Sequence, residues 1–85
     1  MNAKPNATTI QQAFYTYENV PVFSVNAGVP ADDAQEIATT LMYYVECLAA
    51  ADAFTDKSIE SGIIQYFSEM AKALNTASRA GRRGT

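Results

Sequence analysis

Residues 30–51, PADDAQEIATTLMYYVECLAAA, decide how the rest of the chain is read. Ile37, Leu41, Tyr44, Leu48 and Ala51 recur at steps of four, three, four and three, the spacing that puts side chains on one stripe of an α-helix. The start of that helix is marked as well. Pro30 suits a first helical turn, where its missing N–H would have no partner anyway. Asp32, Asp33 and Glu36 then place negative charge at the positive end of the helix dipole. An apolar stripe must be covered, and Ile59, Ile63, Tyr66, Met70 and Ala73 supply a second one at the same steps. Two such helices joined by a short connection make an antiparallel hairpin with the stripes packed against each other.

The pattern predicts helix one over about 30–51, a break near Phe54 with Thr55 or Asp56 capping the next helix, and helix two over about 56–75. One continuous helix through residue 75 is the competing reading, because no glycine or proline interrupts 49–53. Gly62 lies inside helix two and costs about 1 kcal/mol relative to alanine, so a close helix crossing is expected there. The remaining TASRAGRRGT, residues 76–85, is small, polar and basic, and is read as a frayed tail.

Upstream, residues 19–30 (NVPVFSVNAGVP) have no helical period. Val20, Val22 and Ser24 alternate with Pro21, Phe23 and Val25, as in a short extended segment. It can pair with its two-fold mate or with residues 14–17, Pro21 sitting at an edge. Asn26-Ala27-Gly28 reads as a turn. Residues 9–18 fit a short helix capped by Thr9, or an extended arm carrying Phe14, Tyr15 and Tyr17. Residues 1–9 are polar and expected to be mobile. The division is thus a flexible N-terminal arm (1–19), a helical hairpin domain (20–75) and a basic tail (76–85). The fold class is all-α: an antiparallel two-helix hairpin with an irregular or short-strand arm, dimerising into a four-helix bundle.

Dimerisation is expected from size. A chain of 85 residues buries only about 60–65% of the surface its unfolded form exposes. The usual staples are missing: Cys47 is the one cysteine and there is no histidine. With 48% hydrophobic residues, self-association is what remains. The expected dimer core is Phe23, Ile37, Leu41, Leu48, Ile63, Tyr66 and Met70. Met42, Tyr43, Tyr44, Ile64 and Phe67 are the expected exposed patch for another, unidentified protein. Cys47 is read as a small hydrophobe flanking the helix contact.

The charge of −3 is unevenly spread. All nine acids lie between Glu18 and Glu69, while Arg79, Arg82 and Arg83 crowd the end. An acidic body argues against wrapping duplex DNA. No run approaches the roughly 20 apolar residues of a membrane span, and the first residues lack the apolar core of a secretory signal, so the expected location is the cytoplasm.

Val22-Phe23-Ser24-Val25, Gly28-Val29-Pro30, Asp33-Ala34 and the later run from Tyr66 to Leu74, YFSEMAKAL, together resemble a family of short bacterial proteins known only as a domain of unknown function. The likeness spans roughly 22–74. Its two phrases are F-S-V-x-x-G-V-P and S-E-M-A-K-A-L. The chain departs from it in Tyr43-Tyr44 and in having only Cys47 in helix one. The resemblance implies a two-helix bacterial cytosolic protein and brings no activity and no catalytic residues.

The residues themselves offer no catalytic, cofactor-binding or metal set. Asp32, Asp33 and Glu36 are explained by a helix start, Cys47 has no histidine base, and there is no phosphate-binding glycine loop. The expected function is a non-enzymatic, homodimeric interaction or regulatory module. The alternatives are a carrier holding a small apolar ligand between its helices, and weak nucleic-acid binding through Arg79, Arg82 and Arg83.

Overall fold

The computed structural model describes residues 7–83, which form two strands, β1 (Gln12–Tyr17) and β2 (Val20–Val25), and two helices, α1 (Ala31–Ala51) and α2 (Lys57–Arg83). The strands pair antiparallel, with Phe14 opposite Phe23 and Tyr17 opposite Val20. Glu18 and Asn19 form the two-residue connection, and both take positive φ, 49° and 69°. That is the hairpin turn whose twist matches the strands it joins. Of the two readings of residues 9–18, the extended one therefore holds, and the arm expected to be flexible is a sheet strand from Gln12. Its first six residues lie outside the described part of the chain.

Residues 7–10 clasp the two ends of the helical pair. Thr9, 2% exposed, makes four hydrogen bonds to one loop. Its N–H donates to Val29 O at 2.7 Å and its carbonyl accepts from Gly28 N at 3.0 Å. Its Oγ1 donates to Asn26 O at 2.7 Å and accepts from Val29 N at 3.0 Å. Either side of it, Ala31 N donates to Ala7 O at 2.8 Å and Ile10 N to Ala77 O at 3.3 Å. The first residue of α1 thus finds a backbone acceptor in the arm, since Pro30 supplies no side-chain cap.

α1 covers the predicted span. It ends at Asp52 in a left-handed conformation, so the continuous helix is not formed. Asp56 caps α2 as expected: its Oδ1 accepts from the Ser58 N–H at 3.0 Å and the Ser58 hydroxyl at 2.6 Å. The far end of α2 departs from expectation, because the helix continues to Arg83 instead of fraying after residue 75. Packing accounts for this. Ala77, Ser78 and Gly81 are buried, Ser78 Oγ donates to Ala31 O at 3.2 Å, and Arg82 bonds Gln35 at 2.7 Å and pairs with Asp32.

The helix contact is also made by other residues than expected. α1 turns Ala31, Ala34, Ala38 and Val45 inward, and α2 turns Ala71 and Ser78. Small side chains let the helices approach closely at the Ala31–Ser78 end, while further along α2 Ile64 and Phe67 are half-buried toward α1. Val25, Ala73 and Ala77 make the core under the sheet, with Phe14 and Leu74 against it. Among the described residues the largest side chains fully sealed from solvent are Thr9 and Ser78. α2 is the central element: α1 lies on one flank, the sheet on another, and α1 does not touch the sheet. The result is a slab of 51 × 35 × 14 Å.

The two glycines of α2 behave oppositely. A Cβ on Gly62 would meet nothing within 4 Å, so the crossing expected there is absent. The close approach occurs at Gly81, where a Cβ would run into the backbone carbonyl of Thr8.

Candidate interaction surface

The residues that fail to pack between the helices gather on one outer face. At 100° per residue, Ile37 and Tyr44 stand about 90–115° round α1 from its alanine stripe. Ile63, Met70, Ile59 and Tyr66 stand about 70–130° round α2 from Ala71 and Ser78. Because the helices run antiparallel, both turns carry to the same side. There Ile37, Tyr44, Ile59 and Tyr66 are 50, 54, 52 and 48% exposed, with Leu41, Leu48, Ile63 and Met70 half-buried among them. The face joins much of the expected dimer core, but that set lies outside the hairpin contact it was drawn from.

The sheet extends this face through aromatic stacking. Tyr15 has a φ of 54° within β1, a left-handed conformation that non-glycine residues seldom adopt. Neighbours in a strand ordinarily point to opposite faces. Here the reversed backbone brings the Tyr15 ring to the side of Phe14, 6.1 Å between centroids, and stacks it on Tyr66 at 4.5 Å. Phe23 stacks on Phe14 at 5.8 Å and meets Tyr15 edge-on at 6.3 Å, remaining 49% exposed. Among the described residues the Tyr15 hydroxyl has no hydrogen-bond partner. Desolvation, then Tyr66 and Glu69, push its pKa up.

The patch expected from Met42, Tyr43, Tyr44, Ile64 and Phe67 is not one patch. Tyr44 belongs to the face just described. Met42 and Tyr43 lie on the other side of the helix pair, lining with Ala38, Thr39, Glu46 and Asn75 an open cleft of about 350 Å³. Ile64 and Phe67 are half-buried on the side of α2 turned to α1. Cys47 is exposed rather than flanking the helix contact, and its hydrogen bond to Tyr43 is the main cause of a raised Tyr43 pKa. A second open cleft, of about 280 Å³, lies between β1 and α2 and is lined by Gln12, Phe14, Tyr15, Glu69, Lys72 and Thr76 among others.

Of the basic residues near the end, Arg82 is engaged with Asp32 and Gln35, while Arg79 and Arg83 are exposed on α2. Among the described residues no group of three or more His, Cys, Asp or Glu could hold a metal ion. None of the described helices is long and apolar enough to cross a membrane. Thr9 and Tyr15, which shape the surface, carry no local sequence signal. Ile59 did, as the first residue of the second stripe.

Fold and surface together define a mostly helical, single-layer protein with a small sheet and an apolar face turned outward. The chain belongs to the family described as Protein of unknown function (DUF3077), which matches residues 8–77. That span starts at Thr8 and ends at Ala77, so it takes in Thr9, the sheet, α1 and α2 as far as Ala77, and leaves out Ala7 and the last turns of α2. No curated protein and no solved structure matches the chain.

Proposed function

We propose that this chain is a non-enzymatic protein-interaction module, regulatory through what it binds, whose working surface is the apolar face shared by α1 and α2. The observation that carries this reading is the inversion of the core. On α1 the contact with α2 is taken by three alanines and Val45, while Ile37, Tyr44, Ile59 and Tyr66 are each about half exposed on one side. Exposed apolar area of that kind, contiguous across two helices, marks protein contacts. A small bacterial protein of the cytoplasm fits the reading, as an unpaired, exposed Cys47 suits a reducing compartment.

The test is a photo-crosslinking amino acid placed at Tyr44 in the full chain in its host, with a control at Gln65. A covalent polypeptide adduct from position 44 and none from 65 is expected. Position 44 yielding no adduct would end the reading.

A further inference from the structure

We infer that the polypeptide covering this face is a second copy of the same chain, the two hairpins meeting about a two-fold axis as a four-helix bundle. The inference rests on the interaction reading above and names the occupant of that same face.

Three observations point to self-association. The first is that the fold lacks a layer. Domains ordinarily consist of two layers of secondary structure around a shared core. In this chain α1, α2 and the sheet lie side by side, with the first and last out of contact. Stacking an identical helix pair on the open side supplies the missing layer and encloses the large side chains, the arrangement of a four-helix bundle.

The second is area. Tyr44, Tyr66 and Phe23, each about half exposed, leave roughly 75–125 Å² apiece. Ile37, Ile59 and the half-buried Leu41, Leu48, Ile63 and Met70 raise the apolar total to about 500 Å² per chain. A standard interface takes about 800 Å² from each partner, and in homodimers about 65% of that is apolar, again near 500 Å².

The third is charge. A two-fold interface sets a surface against itself, so any charge at its centre meets its own sign. The face residues named are all uncharged, although the chain carries a net −3. Asp32 is turned to Arg82, Glu46 lines the cleft on the opposite side, and Glu69 stands at the rim beside Tyr15, in the cleft between β1 and α2. Asp33 stands at the far end of the face, about 16 Å along α1 from Tyr44.

Sedimentation equilibrium of the full chain between 10 nM and 100 µM tests this. The expected species at micromolar concentration has twice the 9.2 kDa of one chain. Tyr44→Asp should raise the dissociation constant at least about 100-fold, and Tyr43→Asp, on the other side, should leave it within about threefold. Because a variant could also lose its fold, the wild-type melting temperature is measured in parallel. A dimer requires it to rise with protein concentration. Native-like monomers at 100 µM, or a melting temperature flat over a hundredfold range, would overturn the inference. Crosslinking from Tyr44 separates the two claims. An adduct of twice the chain mass supports both, an adduct with only a different polypeptide overturns self-association alone, and no adduct overturns both.

Discussion

The carbonyl carbon of Thr8 sits 2.7 Å from where a Cβ on Gly81 would lie, so the arm and the end of α2 can meet only because residue 81 has no side chain. Both partners in that approach are backbone, which cannot rotate away. Gly81→Ala is therefore expected to destabilise by about 1–3 kcal/mol, the range for overpacking a closed contact. Gly62→Ala is the opposite case, with open space around the new methyl and a helical backbone. It should stabilise by about 0.5–1 kcal/mol. Thermal melts of the two variants at equal protein concentration check the sign of each.

Thr9 carries the other half of the clasp. Thr9→Val keeps the shape but removes the acceptor of the Val29 N–H and the donor to Asn26 O. Both bonds are part-buried, so leaving these groups without partners should cost about 1 kcal/mol. Thr9→Ser retains the oxygen and should lose much less. Denaturant unfolding gives the comparison, and equal losses for valine and serine would mean that the hydroxyl is dispensable.

Tyr15 separates ring from hydroxyl. Its ring joins Phe14, Phe23 and Tyr66, whereas its oxygen is buried without a partner among the described residues. Tyr15→Phe should leave the melting temperature unchanged or raise it. Tyr15→Ala should lower it by several degrees, and a larger loss for phenylalanine than for alanine would assign the oxygen a partner.

The cap of α2 gives a pH dependence. The Ser58 hydroxyl and then the Ser58 N–H, both donating to the Asp56 carboxylate, hold its pKa below the ordinary value of 3.8. A depressed carboxylate stabilises the fold above its unfolded pKa, and that contribution disappears as pH falls through the lower, folded value. Melting temperatures of wild type and Asp56→Ala should thus differ by about 3–8 °C near neutrality. The difference should hold down to the ordinary value of 3.8 and close only as pH falls further, through the lower folded value.

How much of this could be read in advance depended on whether the signal was local. Pro30 with its following acids marked the start of α1, and Asp56 was available as a cap, because both act on their own backbone. The inward face of the hairpin was misjudged. Periodicity reveals that Ile37, Leu41, Tyr44 and Leu48 share a stripe, but the alanines at 31, 34 and 38 form another beside it. Bulk alone does not decide which of two adjacent stripes turns inward, because small side chains let two helix backbones come closer than large ones do. The continuation of α2 past residue 75 was hidden because Ser78 and Gly81 look like helix breakers until Ala31 and Thr8, some 47 and 73 positions away in sequence, are brought against them. The hairpin turn was obscured by Glu18, a residue with no preference for positive φ.

The central position of α2 bears on how the chain is born. The hairpin of strands and the first helix emerge from the ribosome before the one rod that both lean on, and neither has the other to rest against meanwhile. Consolidation must wait until residues 57–83 are available. Until then the nascent segment leaves its greasy side chains open to chaperones.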